Sequence, residues 1–176
     1  MSILKVARMG HPVLRTRARA LDRAETKSPV VQQLIDDMID TMIEYHGVGL
    51  AAPQVHEGVR LFVASLNDSD DEEGTDPEPL VVINPEITIV SAETVEDWEG
   101  CLSIPDIRGR VPRPRAVKLR ALNRKGERIE VNAKDYSARV LQHEFDHLDG
   151  VLFFDRMRAL DSLTFLEEYG RYWAKD

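Results

Sequence analysis

The chain contains one motif whose residue types and spacing predict a hydrolytic metal site, His143-Glu144-Phe145-Asp146-His147. Residues four positions apart lie on the same face of an α-helix, so His143 and His147 can bind one metal ion. Glu144 lies beside them, where a carboxylate can take a proton from a water molecule at the metal. Two histidines leave a tetrahedral hydrolytic site one protein ligand short. The function therefore depends on which residue supplies the third ligand.

Candidates for the third ligand can be tested by counting positions along the chain. A third histidine, as in proteases with H-E-x-x-H-x-x-G-x-x-H, is excluded because Phe153 occupies that position. A glutamate on a following helix could be Glu167 or Glu168, which would make the chain a zinc metallopeptidase. Alternatively Cys101, the only cysteine, could supply a thiolate to zinc or ferrous iron. Spacing alone leaves the glutamates and the cysteine open.

Two further segments accompany the histidine motif. Residues 47–54 read G-V-G-L-A-A-P-Q, in which the glycines allow a ligand to approach the backbone closely. Residues 99–103 read E-G-C-L-S around the cysteine. Together with Q-H-E-F-D-H-L-D-G at residues 142–150, these segments resemble, in order, the three motifs of the peptide deformylase family. The resemblance extends from H-P-V-L-R at residues 11–15 to about Met157.

The resemblance implies a reaction and a cofactor. It implies a metal-dependent hydrolase that removes the formyl group from N-formylmethionyl peptides and nascent chains and releases formate. Cys101, His143 and His147 would bind one divalent ion. Family members commonly use ferrous iron, although zinc, nickel or cobalt can occupy the site.

The resemblance also implies catalytic roles. Glu144 would act as the general base and then as the general acid. The side-chain amide of Gln54 and the backbone N–H of Leu102 would stabilise the oxyanion.

Substrate contacts are implied in the same way. Backbone at Val48, Gly49 and Gly100 should pair with an extended peptide like an added strand. Arg108 is expected to shape the site. Arg139 lies one helical turn before the first histidine of the motif, where an apolar pocket residue would be natural. The pocket for the methionine side chain is therefore expected to differ in shape from that of the best-known members.

The elements that position these residues can be predicted from apolar periodicity. A helix is predicted from Pro29 to Gly47. The helix of the metal motif should begin near residue 135 or 137 and end at Gly150, and a last helix should cover residues 161–174. Five strands are predicted, at residues 60–66, 80–84, 87–91, 117–123 and 128–133. Strands in a row followed by a helix indicate an α+β fold, with antiparallel β-sheets around a central helix that carries HExxH.

Length and composition indicate one catalytic domain over residues 1–176. A chain of 176 residues with 43% hydrophobic residues can form one real core. The first residues lack the apolar segment of a secretory signal, and no apolar run is as long as a membrane span. A single cysteine suits a reducing compartment. We therefore expect a cytoplasmic enzyme, acting as a monomer and without a membrane partner.

Charge is unevenly distributed along the chain. Acidic residues crowd residues 65–79, which predicts an exposed surface loop. The net charge of −8 argues against non-specific nucleic-acid binding, and no specific nucleic-acid partner is expected. Basic residues between Arg108 and Arg120 could make a weak, salt-sensitive contact with the ribosome. Residues 155–176 have no basic excess, so this tail is expected to pack on the protein itself.

Overall fold

The computed structural model describes residues 2–66 and 78–174, which form the α+β fold that the sequence predicts. Within these residues the helices are α1 (Arg23–Thr26), α2 (Pro29–Glu44), α3 (Asp135–Leu148) and α4 (Leu166–Tyr172). The strands are β1 (Gly49–Ala51), β2 (Leu61–Ala64), β3 (Leu80–Ile89), β4 (Thr94–Cys101), β5 (Ile104–Pro114), β6 (Ala116–Leu122), β7 (Arg128–Lys134) and β8 (Thr164–Phe165). They make two antiparallel sheets, ordered β1-β2-β3-β6-β7 and β4-β5-β8.

Helix α2 forms where the sequence predicts it. The Ser28 hydroxyl accepts a hydrogen bond from the backbone N–H of Val31, and Pro29 occupies the first helical position. The helix ends at Glu44, before Gly47, because the chain turns at His46 with a φ of 53°. Its apolar stripe is buried against the strands β1, β2 and β3 through Ile35, Met38 and Met42.

Helix α3 is the central element, and it packs between the two sheets. Its apolar residues, including Leu141 and Leu148, form a core with Phe62 of β2 and Leu119 of β6. After its last turn, Gly150 has a φ of 73°, and a β-carbon there would lie 2.8 Å from the backbone carbonyl of the N-terminal segment. The helix ends at Leu148, two residues before the predicted end at Gly150.

Strand β3 joins two segments that the sequence analysis predicted as separate strands. The register with β6 shifts between Ile83 and Glu86, which marks a bulge around Pro85. Asn84 adopts a φ of 50° there, and its side-chain amide bonds the backbone N–H and C=O of Leu21. Because of this bulge, one strand continues through Pro85, where two separate strands were predicted from the sequence.

The sheet that carries Cys101 was not predicted. Strand β4 reads T-V-E-D-W-E-G-C and is mostly exposed, so it lacks the apolar alternation of a half-buried strand. It pairs with β5 along its whole length, with Trp98 opposite Arg110 and Cys101 opposite Ile104. The cysteine therefore ends a strand, immediately before the tight turn at residues 102–103.

The last helix is shorter than the predicted range of 161–174. Thr164 and Phe165 form β8, which pairs with Arg108 and Ile107 of β5, and α4 begins only at Leu166. Of the predicted acidic loop at 65–79, residues 67–77 lie outside the described part of the chain. None of the described helices has the length and apolar character needed to cross a membrane.

Candidate active site

The end of β4 and one face of α3 bring together three side chains with metal-ligating atoms. The ligand atoms of Cys101, His143 and His147 all lie within 4.8 Å of one another. The Sγ of Cys101 and the Nε2 of His147 are 3.3 Å apart. A thiolate with two imidazoles is a donor set that suits zinc or iron and leaves one position for water or substrate. The residues therefore fit a divalent ion.

The glutamate alternative for the third ligand is wrong. The side chains of Glu167 and Glu168 are 73% and 42% exposed, and both bond Arg171 on the surface of α4. Within the described residues, the group that could hold a metal ion contains neither of them. Cys101 is instead the residue whose ligand atom lies beside those of the two histidines.

Glu144 lies beside these residues, and its side chain packs so closely against Gly49 that a residue with a β-carbon would clash there. A β-carbon at Gly49 would be 2.6 Å from the Cδ of Glu144. The Oε2 atom is buried and has no hydrogen-bond partner among the described residues. Burial raises the pKa of Glu144 to about 7, although the charge of the nearby His143 acts to lower it. Such a carboxyl is suited to exchanging a proton near neutral pH.

Gln54 is held in one orientation by hydrogen bonds at both ends of its amide. Its Oε1 accepts from the backbone N–H of Ala51 at 2.8 Å. Its Nε2 donates to Ser103 Oγ at 3.2 Å and to Cys101 Sγ at 3.4 Å. The amide N–H groups therefore point to the metal-ligating side of the site. Leu102 follows the cysteine in the turn and lines the same cleft.

A buried ionic network supports the ligands from behind. The Nδ1 of His143 donates to Oε2 of Glu99 at 2.9 Å, which leaves Nε2 free for the metal. The guanidinium of Arg113 donates from Nε to Glu99 at 2.9 Å and from NH1 to Asp146 at 2.5 Å. Arg139 donates to the same Glu99 at 2.8 Å. Arg113 was predicted to be one of the basic residues between Arg108 and Arg120 that could contact the ribosome, but the structure buries it at 4% exposure. Gly109, Val111 and Arg113 are two positions apart along β5, so they share one face of the strand, and that face is buried. This spacing would have predicted the burial of Arg113 if β5 had been recognised as a strand.

The buried titratable groups of the site shift one another's pKa values. Burial disfavours a charged His143, but hydrogen bonds to Cys101 and Glu99 outweigh burial and raise its pKa well above the usual value. Burial and the neighbouring His143 lower the pKa of His147. Burial would raise the pKa of Glu99, yet bonds from His143 and Arg113 lower it below its ordinary range.

An open cleft of about 750 Å³ leads to these groups. All five residues predicted to contact substrate line it, namely Val48, Gly49, Gly100, Arg108 and Arg139. The guanidinium of Arg108 lies against Gly100, so a β-carbon there would be 2.4 Å from its Cζ. The guanidinium of Arg139 instead bonds Glu99 and the backbone carbonyls of Val95 and Val111, so it mainly secures the ionic network.

The C-terminal segment forms one wall of the cleft, and sequence reasoning did not predict this. Leu166 lines the cleft at the start of α4. The rings of Tyr169 and Trp173 pack against Trp98 of β4, with centroids 4.9 and 5.8 Å away. Trp98 and Tyr136 line the cleft as well. The tail therefore packs on the protein, as its charge balance predicts.

Comparisons with known proteins agree with the resemblance seen in the sequence. The profile of the family described as polypeptide deformylase matches residues 3–162. Peptide deformylase 2 of Nostoc sp. is 44% identical over 95% of this chain and 93% of its own length. The structure of a class I type b peptide deformylase from Acinetobacter baumannii with Met-Ala-Ser bound has a TM-score of 0.81 and 38% identity, covering 89% of this chain and 99% of that chain. Peptide deformylase from Thermotoga maritima has a TM-score of 0.81 and 40% identity, covering 90% and 100%.

Proposed function

The chain belongs to the polypeptide deformylase family, and we propose that its metal-dependent removal of the N-formyl group takes place at Cys101, His143, His147 and Glu144. The reaction adds water across the formamide C–N bond, so that formate leaves and the peptide gains a free amino terminus. The observation that carries the assignment is the convergence of a thiolate and two imidazoles beside a buried carboxylate whose Oε2 is unpaired among the described residues.

The ligands are proposed to hold ferrous iron, with zinc, nickel or cobalt as possible replacements. A divalent ion bound there supplies Lewis acidity, lowering the pKa of water and polarising the formyl carbonyl. The hydrogen bond from His143 to Glu99 supports the assignment, because it fixes the imidazole with Nε2 facing the other ligands. A reduced Cys101 as a ligand suits the cytoplasm, where we propose that the enzyme acts as a monomeric single domain.

Glu144 is proposed to move the proton. Its Oε2 accepts a proton from the attacking water and later delivers it to the departing amine nitrogen. The raised pKa of about 7 matches this exchange, because the protonated and ionised forms are both accessible near neutral pH. Gly49 supports the role by leaving space for the carboxylate.

Gln54 and Leu102 are proposed to stabilise the oxyanion that develops on the formyl oxygen. The amide of Gln54 is held by Ala51 and Ser103, so its N–H groups need no reorganisation as the negative charge develops. The backbone N–H of Leu102 is proposed as the second donor.

The peptide is proposed to bind as an added strand along Val48, Gly49 and Gly100. These residues line the same cleft as Cys101, His143 and Arg108. The methionine side chain would then enter the part of the cleft near Tyr136 and Arg139. Because Arg139 is bound to Glu99 and two backbone carbonyls, its contribution to that pocket is proposed to be shape rather than charge.

Formate release tests this proposal. The iron- or cobalt-loaded protein should release formate from formyl-Met-Ala-Ser, measured with a coupled formate dehydrogenase. Glu144→Gln should keep its metal and lose at least ~10²-fold in kcat, because a positioned general base contributes about that much.

Glu167→Gln is the matched control, since its carboxylate is on the surface of α4. It should retain both metal and turnover. Near-normal turnover in Glu144→Gln would remove Glu144 from the mechanism.

A further inference from the structure

The residues that line the cleft include three basic ones outside the proposed catalytic groups, Lys5, Arg8 and Arg108, which we call the basic rim. Lys5 and Arg8 are exposed, and Arg108 is half-buried against Gly100. The three belong to two separate parts of the chain, the N-terminal segment and β5. All three line the same cleft, and the sequence alone predicted no role for Lys5 or Arg8.

The rim side chains differ from neighbouring arginines because they lack ion-pair partners. Arg113, Arg115 and Arg139 are each paired with carboxylates. In the part of the chain that the structure describes, Lys5, Arg8 and Arg108 form no salt bridge. Within that part, Arg108 donates only to the backbone carbonyl of Ile107 beside it. Their positive charge is therefore available to a ligand.

The carboxylates that line the cleft do not cancel this charge. Among the described lining residues these are Glu99, Glu144 and Asp106. Glu99 and Glu144 are buried in the catalytic part, at 6% and 4% exposure. Asp106 is the exposed one of the three, so the described lining of the cleft has three basic side chains without ion pairs and one exposed carboxylate.

The N-terminal segment is held firmly enough to present its cations to a bound peptide. The backbone N–H of Ala7 donates to the carbonyl of Gln54 at 2.7 Å, and that of Met9 donates to the carbonyl of Ser103 at 2.8 Å. Both acceptors belong to the segments that bear the proposed oxyanion donors. Ala7 is 2% exposed, so the backbone is anchored there while Lys5 and Arg8 stay in solvent.

We infer that Lys5 and Arg8, together with Arg108, select for an acidic side chain in the residues that follow the formylmethionine. The inference rests on the proposed function, because it assumes that an extended peptide runs along Gly100. A carboxylate beyond the first residue would meet unpaired cations at the cleft mouth, whereas a lysine would be repelled. The effect acts on binding and is screened by salt.

The test uses amidated peptides, so that no terminal carboxylate interferes. Formyl-Met-Ala-Ala-Ala-NH₂ is compared with versions that carry a single Asp, Asn or Lys at the second, third or fourth position. At one or more positions, Asp should exceed Lys by about 3-fold or more in kcat/KM, mainly through KM, as expected for exposed charge pairs. About 1 M salt should remove the preference, because the Debye length then falls to about 3 Å.

The double variant Lys5→Gln/Arg8→Gln should lower the ratio of Asp to Lys peptides at the preferred position by about half or more. Arg128→Gln is the control. Arg128 is exposed, lies away from the cleft and forms no salt bridge within the described residues, so its loss should leave the ratio unchanged.

A ratio at or below one at every position, or a ratio that the double variant leaves unchanged, would overturn the inference. So would an equal fall in Arg128→Gln. Failure to release formate from any peptide would overturn the proposed function and this inference with it. Formate release at equal rates from Asp and Lys peptides would overturn the inference alone.

Discussion

Arg113 and Arg115 lie two positions apart in the chain, and each bridges two carboxylates, but only one of them is buried. Arg113 pairs with Glu99 and Asp146. Arg115 pairs with Glu93 and Asp135. The side chain of Arg113 is 5% exposed and that of Arg115 is 47% exposed. The same chemistry therefore occurs once behind the metal ligands and once in solvent.

The comparison shows how burial increases the free-energy cost of breaking an ion pair. Moving a charge out of water costs several kcal/mol per ion, and the cost is offset only when the charge is fully bonded. Glu99 meets this condition because it accepts bonds from Arg113, Arg139 and His143. None of these groups can move without leaving a buried charge unpaired. The buried network thus fixes the position of a metal ligand, while the exposed one can rearrange at little cost.

Arg113→Gln should have the largest effect of the changes that test this comparison. It leaves two buried carboxylates short of a partner, which typically costs about 3–5 kcal/mol in the free energy of unfolding. Urea unfolding measured by circular dichroism gives the value. Arg115→Gln is the control, and its midpoint should stay close to that of the unchanged protein. Similar losses in the two variants would show that burial does not separate the networks.

The buried network also marks the limit of what the sequence could predict. Residue type and helical spacing predicted that His143 and His147 face the same site, whereas the choice of Cys101 over the two glutamates came from the family resemblance of E-G-C-L-S. The α+β class and helix α2 followed from apolar periodicity. Strands β4 and β5 did not, since charged side chains occupy many of their positions and hydrophobic alternation is the main strand signal.

Arg139 shows the same limit at a single residue. Its helical position, one turn before His143, predicted that it shapes the substrate pocket, and Arg139 lines the cleft. Its guanidinium bonds Glu99 and carbonyls of β4 and β5, a partnership that depends on the unpredicted sheet. Long-range pairing of a charged side chain has no local signature, whereas a metal-binding helix does.

A second test weakens the network at the metal ligand itself. Glu99→Gln keeps an oxygen that can accept from Nδ1 of His143 but removes the charge that makes the imidazole a stronger ligand. Metal affinity, measured by competition with a chelator, should fall about 10–100-fold. Glu93→Gln makes the corresponding change in the exposed network and should leave metal affinity unchanged. Equal affinity in the two variants would mean that Glu99 does not tune the site.

The smallest effect is expected for another exposed pair, Arg19 with Glu25. Hydrogen bonding to Arg19, followed by the bond from the backbone N–H of Asp22, lowers the pKa of Glu25 from 4.5 to about 2. A carboxyl whose folded pKa is depressed stabilises the fold above its unfolded pKa and loses this contribution as pH falls through the folded value. The stabilisation by Glu25 should therefore be complete above about pH 4.5 and absent below about pH 2.

Unfolding of the unchanged protein and of Glu25→Gln, followed from pH 6 down to about pH 2, can resolve this small contribution. The gap between their unfolding midpoints should be constant above about pH 4.5 and close as the pH approaches 2. Glu96→Gln is the control, because Glu96 is exposed and forms no salt bridge among the described residues. A gap that persists at pH 2 would show that Gln at position 25 acts through the capping of α1 rather than through the charge of Glu25. Even then, the exposed pair should fall far short of the loss expected for Arg113→Gln, since solvent replaces most of what each exposed partner provides.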